Sequence, residues 1–194
     1  MTVTAFLALR KASRRDAPEL AILADIASHG FASWLWFADV ASGMSDTPLE
    51  RGRLKMSDEA LGGWKNAVIG EAYDEIAGMA IGYEVDEGIR DLEPRHPAIE
   101  PMLAMQRSVI GHWFIGSLAV YRHMRGIGIG KRLLEDQVEK ADGLPVSLIT
   151  SDTNEAALSL YGRNGFSEAA RMDAVPLFDN SKKHAWVLMT RAGA

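Results

Sequence analysis

Cysteine is absent from the 194 residues of this chain. Its absence excludes disulfide bonds, thiolate metal ligands and a covalent intermediate on a cysteine nucleophile. Long apolar runs are also missing, because the longest apolar region, residues 110–120, is too short to span a bilayer. A short apolar start followed by basic residues reverses the order found in a secretory signal peptide. These absences predict a cytoplasmic protein with no membrane partner.

An excess of positive charge is lacking as well, since the formal net charge is -5 at pH 7. A basic face is the usual footprint for nucleic acid, so this balance argues against a nucleic-acid partner. No spacing of histidines and carboxylates demands a metal ion. The composition, 47% hydrophobic and 24% charged residues, is that of an ordinary globular protein. The length predicts one domain, residues 1–194, and leaves a homodimer as an option.

Hydrophobic periodicity predicts strands and helices in the order β, α, α, β, β, β, α, β, α, β, β, with two further short helices in the connecting segments. The predicted strands cover residues 2–9, 64–72, 75–85, 112–121, 146–150, 166–171 and 184–191. The first principal helix is predicted to begin after residue 16, and the other three cover residues 31–37, 128–141 and 154–163. The two short helices lie near residues 49–56 and 102–107. This order predicts an α/β (α+β) fold with a central mixed, mostly antiparallel sheet of about seven strands flanked by helices.

Three alternating glycines, Gly126, Gly128 and Gly130, lie between a predicted strand and a predicted helix. Glycine lets the backbone come close to a ligand, and the unpaired amides that open a helix lie at the positive end of its dipole. Arg125 and Lys131 add fixed positive charge on either side of the glycines. The segment therefore predicts a phosphate-binding loop.

Two well-known phosphate motifs do not match this loop. A P-loop needs Gly five positions before its Gly-Lys pair and Ser or Thr after the pair, where this chain has Arg125 and Arg132. The dinucleotide pattern Gly-x-Gly-x-x-Gly also fails, because its last position holds Lys131 or Leu133. Taken alone, the segment is also compatible with a glycine-rich turn that binds no ligand.

The pattern Arg125-x-x-Gly128-x-Gly130 resembles the acetyl-CoA-binding motif of the GNAT superfamily of N-acetyltransferases. A second stretch, residues 154–166, has the Asn, Ala, Leu-Tyr and Gly-Phe positions of that family in order and at the usual distance downstream. The resemblance is strong over residues 113–166, and the predicted element order extends it in fold to the whole chain. It implies a GNAT-like single domain whose sheet is splayed between the strand at 112–121 and the strand at 146–150.

The resemblance implies that acetyl-CoA (coenzyme A) is the co-substrate and that no metal is used. In the family, the pantetheine arm pairs with the strand before the loop, and an amide at the position of Leu118 faces the thioester carbonyl. The implied cofactor-binding residues lie on the strand end, on the loop and at the start of the downstream stretch: Leu118, Ala119, Val120, Arg125, Gly126, Ile127, Gly128, Ile129, Gly130, Lys131 and Asn154.

Tyr161 takes, by the same resemblance, the role of general acid toward the departing thiolate. A phenol has an unperturbed pKa near ~10 and a thiol near ~8.5, so a tyrosine hydroxyl is protonated at neutral pH and able to donate. A core tyrosine whose hydroxyl is bound to the backbone is the alternative. Glu84 is the first candidate for the general base that takes a proton from the amine, and Asp86, Glu87 and His112 are the alternatives.

Candidates for the acceptor pocket are Phe31 and Trp34 on the aromatic helix, Asn66 on the first hairpin strand, and the charged excursion 86–107. Aromatic side chains at helical spacing also suit core packing. These features together predict an enzyme, an acyltransferase that moves acetyl from acetyl-CoA to the amine of a small molecule or peptide by direct attack in a ternary complex. A CoA-binding sensor without turnover and an acyltransferase that uses another acyl-CoA are the alternatives.

Overall fold

The computed structural model describes residues 7–38 and 47–193. The strands are β1 (Ala8–Lys11), β2 (Ala67–Ala72), β3 (Glu75–Glu84), β4 (Trp113–Val120), β5 (Val146–Ser151), β6 (Ser167–Asp173) and β7 (Ala185–Arg191). The helices are α1 (Ala17–Ala27), α2 (Phe31–Ala38), α3 (Pro48–Ser57), α4 (Glu100–Arg107), α5 (Ile129–Lys140) and α6 (Glu155–Arg163). None of the helices in these residues is both long and apolar enough to cross a membrane.

The strands form one seven-stranded sheet in the order β1-β2-β3-β4-β5-β7-β6. Among the described strands, β4 and β5 pair in parallel, whereas β1–β2, β2–β3, β5–β7 and β6–β7 pair antiparallel. For β3 and β4 the antiparallel direction follows from two backbone bonds, Tyr121 to Ala77 at 2.9 Å and Val85 to His112 at 2.9 Å. The predicted mixed, mostly antiparallel sheet is confirmed.

Two predicted boundaries need correction. The first strand runs over Ala8–Lys11 instead of residues 2–9, and residues 2–6 of that prediction lie outside the described residues. Residues 42–46, whose polar sequence with Gly43 predicts a loop, also lie outside them. The second strand begins at Ala67, because Trp64–Asn66 forms a 3-10 turn, so the placement of Asn66 on a strand was wrong. The Asn66 amide donates to the Leu61 carbonyl at 3.0 Å, a local bond that favours a turn.

Backbone contacts divide the chain into two compact units. Unit 1 contains the described residues up to Gly82 together with Gly116–Gln137. Unit 2 contains Tyr83–Ile115 and the described residues from Val138 onward. The three unit boundaries therefore fall inside β3, β4 and α5.

Unit 1 buries both faces of its strands. On one face, Ile69, Met79 and Ile81 pack with buried residues of the first three helices, including Leu20, Leu23, Trp36 and Met56. On the other face, Val68 and Ala80 pack with Ile129 and Leu133 of α5. Full burial of such side chains contributes about 1.5–3 kcal/mol each. The end of β4, which precedes the glycine loop, packs into the same two clusters through Ala119 on one face and Leu118 and Val120 on the other.

Unit 2 has its own core, built from Val85, Met105, Val109, Phe114 and Leu188. Its β4–β5 register contains three pairs, from Trp113 with Val146 to Ile115 with Leu148. β4 continues to Val120, beyond the last of these pairs. The strand thus ends its parallel register before it ends as a strand, in agreement with the predicted splay.

Candidate functional site

In unit 1, the glycine loop joins β4 to α5. The 3-10 turn Arg122–Met124 follows the strand, and α5 begins at Ile129. Gly126 has φ 85° and Gly128 has φ 96°, values that glycine adopts without steric cost. A Cβ atom added to either glycine would meet nothing within 4 Å. Backbone conformation, and not crowding, therefore requires glycine here, and the space beside the loop is open.

The loop is fixed at its two ends and exposed between them. Met124 is 6% exposed and Ile129 is 1% exposed, and both pack into the α5-side core of unit 1. Ile127 between them is 42% exposed. The first backbone bond of α5 after the loop runs from Arg132 to the Gly128 carbonyl at 3.0 Å. The preceding amides open the helix without intrahelical partners, which suits them to an anion.

Arg125 is exposed, and its Nε donates to the Val120 carbonyl at 3.1 Å. No carboxylate pairs with Arg125 within residues 7–38 and 47–193. Lys131 instead lies 3.5 Å from Glu135, in an exposed ion pair of a kind that contributes little. The loop therefore presents one guanidinium that β4 orients and whose charge is not neutralised by a neighbour. This arrangement is suited to an anionic ligand.

The strand end before the loop contains the other predicted donor contacts. Ala119 is 5% exposed, whereas Leu118 and Val120 are half-buried and pack against the α5-side core of unit 1. Gly78 lies so close that an added Cβ would be 2.4 Å from the Ala119 carbonyl oxygen. The end of β4 is thus held tightly by β3.

In unit 2, Asn154 caps helix α6. Its side-chain oxygen accepts from the Ala157 amide at 3.3 Å, and its nitrogen lies 3.5 Å from the Thr150 hydroxyl. Asparagine is a preferred N-cap residue because its oxygen satisfies an amide that the helix leaves unpaired. Asn154 therefore lies just before the helix and not inside it, as the predicted helix 154–163 had it, although Asn before an apolar helical pattern is the usual signal of an N-cap.

Tyr161 lies on α6 and is 7% exposed. Its ring contacts Phe166, with the ring centroids 5.9 Å apart. Burial raises the pKa of Tyr161 to about 12. Its hydroxyl makes no hydrogen bond to any group in the described part of the chain. The structure therefore places a protonated, unpartnered phenol in unit 2.

The four base candidates also belong to unit 2 and differ in their surroundings. Glu84 is the exposed last residue of β3. Asp86 accepts from the Gly88 amide at 2.8 Å, and Glu87 pairs with Arg90, so both carboxylates already have partners. His112 has a buried Nδ1 without a hydrogen-bond partner, and burial lowers its pKa. Of the four candidates, Glu84 and His112 are the two whose carboxylate or Nδ1 accepts no hydrogen bond from the described residues.

The acceptor candidates of unit 1 are not gathered into one cluster. Phe31 and Trp34 are half-buried, with ring centroids 5.6 Å apart and an interplanar angle of 32°. Trp36 on the same helix is 8% exposed and belongs to the core, as core packing of the aromatic helix predicts. Asn66 is engaged by its bond to Leu61.

The charged excursion contributes an open cleft to unit 2. Its volume is about 480 Å³, within the range of small-molecule sites. The walls are mainly apolar and include three prolines. The lining residues are Pro94, Arg95, His96, Pro97, Glu100, Pro101, Met172 and Val175. The excursion is a predicted acceptor candidate, whereas the contribution of Met172 on β6 depends on how the chain folds back and has no signal in the local sequence.

Across residues 7–38 and 47–193, no three His, Cys, Asp or Glu side chains are grouped so that they could hold a metal ion.

The structure combines a mixed seven-stranded sheet with a glycine loop that opens a helix beside Arg125, which has no acidic partner among the described residues. These features define an α/β protein with a candidate anion-binding site. A sequence profile narrows that class, because the acetyltransferase (GNAT) family matches residues 28–166. The chain belongs to the acetyltransferase (GNAT) family. It is therefore an N-acetyltransferase in class, and family membership supports acyl transfer from acetyl-CoA in general terms.

Solved structures agree in fold. A crystal structure described only as an acetyltransferase is 19% identical with a TM-score of 0.65, and the alignment covers 96% of this chain and 100% of that chain. An N-acetyltransferase from Staphylococcus aureus Mu50 is 20% identical with a TM-score of 0.63, covering 94% and 99%. The yncA protein of Salmonella typhimurium, solved with its cofactor acetyl-CoA, is 15% identical with a TM-score of 0.58, covering 96% and 93%. A search of the curated proteins returned no match.

Proposed function

We propose that this chain transfers an acetyl group from acetyl-CoA to the amine of a small molecule or peptide, by direct attack in a ternary complex. Residues 1–194 act in this proposal as one N-acetyltransferase domain. The observation that carries it is the open loop at the start of α5, where Gly126 and Gly128 have positive φ and Arg125 has no acidic partner among the described residues. In a chain of this family, that loop is suited to the donor's pyrophosphate.

Donor binding is assigned to the strand end and the loop. The amides that open α5 and the Arg125 guanidinium would hold the pyrophosphate, because an oriented donor group and a positive charge both favour an anion. The bond from Arg125 Nε to Val120 supports this role, since it leaves the terminal nitrogens for the ligand. Backbone groups of Leu118, Ala119 and Val120 would pair with the pantetheine arm, and the amide at Leu118 would polarise the thioester carbonyl.

Two proton transfers complete the reaction. The amine nitrogen bonds to the acetyl carbon, the carbon–sulfur bond breaks, and the amine loses a proton. Tyr161 would donate its hydroxyl proton to the departing sulfur, a role supported by its raised pKa and by a hydroxyl that has no hydrogen-bond partner among the described residues. Asn154, which caps the same helix, is proposed to contact the pantetheine arm.

Glu84 is the proposed general base, because its carboxylate is exposed and has no ion-pair partner among the described residues. His112 is the competing candidate, since its imidazole has a lowered pKa and an unpartnered Nδ1. Glu84→Gln and His112→Gln distinguish them. The variant that flattens the rising limb of the pH–rate profile identifies the base, and an unchanged profile in Glu84→Gln would remove Glu84 from this role.

The direct test of the loop assignment is Arg125→Ala. Loss of a charge-assisted phosphate contact should weaken coenzyme A binding by about 10-fold or more, measured by calorimetry. Arg15→Ala is the matched control, because Arg15 is an exposed arginine in a 3-10 turn of the same unit. Equal affinity in Arg125→Ala and in the parent would contradict the assignment.

The acceptor is tested by a screen of small amines, amino acids, polyamines and peptide N-termini, scored by release of free thiol from acetyl-CoA. We expect substitutions in the cleft of unit 2, and separately at Phe31, Trp34 and Asn66 of unit 1, to change acceptor choice. Coenzyme A binding without thiol release for every acceptor would favour a sensor without turnover. Faster release from propionyl- or succinyl-CoA would favour a different acyl donor.

A further inference from the structure

One hydrogen bond ties the start of the glycine loop to helix α1. The Tyr121 hydroxyl donates to Glu19 Oε2 at 2.5 Å, although the two residues are 102 positions apart. Tyr121 follows the last residue of β4 and is the N-cap of the turn Arg122–Met124. Glu19 lies in the first turn of α1. The side chain that begins the loop is therefore held by a second element of unit 1.

The surroundings strengthen this bond. The Tyr121 ring packs against both apolar clusters of unit 1, so the hydroxyl reaches Glu19 from a partly buried position. Burial and the Glu19 carboxylate together raise the pKa of Tyr121, so the hydroxyl remains a donor at neutral pH. Hydrogen bonds to a charged acceptor are roughly twice as strong as neutral ones.

The backbone and the next ring continue the anchor into the loop. The Tyr121 amide donates to Ala77 and its carbonyl accepts from Met124, both at 2.9 Å. His123 stacks on the Tyr121 ring, with centroids 5.8 Å apart and an interplanar angle of 24°. A Tyr121 ring fixed by Glu19 thus also restrains His123, two residues before Arg125.

We propose that Glu19 and Tyr121 are positioning residues for the donor, because their hydrogen bond holds the loop in its binding conformation before the ligand arrives. The inference rests on the proposed function of the loop as the pyrophosphate site. A loop that is already ordered loses less conformational entropy when it binds, so the anchor tightens donor binding. The pair does not act on the thioester, so it leaves the rate at saturating donor unchanged.

Tyr121→Phe keeps the ring and removes only the donor. We expect coenzyme A binding to weaken about fivefold, while kcat at saturating acetyl-CoA changes less than about twofold. Glu19→Ala should weaken binding to the same extent. Glu19→Gln should restore part of the affinity, because its amide oxygen still accepts a hydrogen bond. Tyr73→Phe is the matched control, since Tyr73 is 50% exposed in a hairpin turn of the same unit.

A donor without phosphates separates positioning from general damage to the fold. Tyr121→Phe should raise KM for acetyl-CoA but leave KM for acetyl-pantetheine unchanged, because acetyl-pantetheine has no pyrophosphate for the loop to hold. An equal rise for both donors would overturn the proposal, since it would indicate a role in structure alone.

Proteolysis tests the anchor without any ligand. Trypsin can cut after the exposed Arg122 and Arg125 of the loop, and after the exposed Lys182 and Lys183 of unit 2 as an internal reference. We expect the ratio of loop to reference cleavage to rise in Tyr121→Phe and in Glu19→Ala. Equal ratios in variant and parent would overturn the anchor. Absence of coenzyme A binding in the parent would instead remove the proposed function, whatever the cleavage ratio.

Discussion

At the scale of single residues, Tyr161 and Arg125 show how a side chain can be held in position and still have free hydrogen-bonding capacity. The Tyr161 ring is packed against Phe166, yet its hydroxyl has no partner in the described part of the chain. The Arg125 guanidinium is oriented through Nε by the Val120 carbonyl. Both groups therefore keep hydrogen-bonding capacity that a bound ligand could use.

Tyr161→Phe should lower kcat more than it weakens coenzyme A binding, because the hydroxyl is needed only as the sulfur departs. Burial raises the pKa of Tyr161 to about 12, so the hydroxyl stays protonated as the pH rises through 10. In the parent, therefore, kcat should show no loss of the general acid between about pH 8 and 10. The measurement is kcat against pH together with the affinity for coenzyme A. Equal kcat in Tyr161→Phe would remove the hydroxyl from the mechanism.

Arg10 links β1 to the start of α1 and to β2. Its guanidinium contacts Asp16 at 2.9 Å and Glu71 at 2.6 Å. The hydrogen bond from Arg10 is the main reason that the pKa of Asp16 is lowered to about 2. A carboxylate with a depressed folded-state pKa stabilises the fold above its unfolded pKa, near ~4, and loses that contribution as the pH falls toward ~2.

Asp16→Asn should therefore reduce the free energy of unfolding at pH 7 by about 1 kcal/mol, a small value because partial exposure screens the pair. The difference from the parent should shrink between about pH 4 and 2, measured by urea unfolding at each pH. Asp179→Asn, at an exposed position, is the control. A difference that is constant with pH would show that the ion pair is not the cause.

At the scale of elements, two glycines facing each other on β2 and β3 allow neighbouring elements to approach. Gly70 and Gly78 are directly paired in the sheet. A Cβ on Gly70 would lie 3.1 Å from Ile129 Cγ2 of α5, and a Cβ on Gly78 would lie 2.4 Å from the Ala119 carbonyl oxygen of β4. The strand and the helix that flank the glycine loop are thus both packed against positions that have no side chain.

The same substitution should have opposite effects at two glycines. Gly78→Ala should lower the free energy of unfolding by about 2–3 kcal/mol, because its methyl group would meet backbone atoms that cannot move aside freely. Gly162→Ala should raise it by up to about 1 kcal/mol, because Gly162 lies in α6 with nothing within 4 Å of an added Cβ. Denaturant unfolding measures both. A neutral Gly78→Ala would contradict the close approach of β3 and β4.

The elements with a strong local pattern were predictable, and those set by distant contacts were not. The predicted strands 64–72 and 75–85 leave Tyr73 and Asp74 between them as a hairpin turn, and both residues have positive φ, as a type I′ turn requires. Residues 64–66 read as a continuation of β2, yet Trp64 packs against the core of unit 1 from a 3-10 turn. The glycine loop was found from its sequence, but the bonds from Arg125 to Val120 and from Tyr121 to Glu19 depend on how the chain folds back.

At the scale of the whole molecule, coenzyme A should stabilise the folded protein, because a ligand that binds only the native state adds RT ln(1 + [L]/Kd) to its stability. At 100 times Kd this is about 2.7 kcal/mol, which corresponds to a rise in Tm of roughly 5–10 °C for a chain of this size. Thermal unfolding with and without coenzyme A measures the shift, and pantetheine at equal concentration is the control. Equal shifts with both compounds would argue against a phosphate contribution.

The division into units has a consequence for synthesis on the ribosome. Each unit is assembled from two separate stretches of chain, and the second stretch of unit 1 ends at Gln137. The strands β1, β2 and β3 therefore leave the ribosome before the segment with β4, the glycine loop and the start of α5 that covers one of their faces. Because synthesis adds about 5–20 residues per second, this face of the strands stays uncovered for several seconds. During this interval the apolar side chains of Val68 and Ala80 are accessible to chaperones. They become buried once the segment with the glycine loop and the start of α5 has been synthesised and has packed against them.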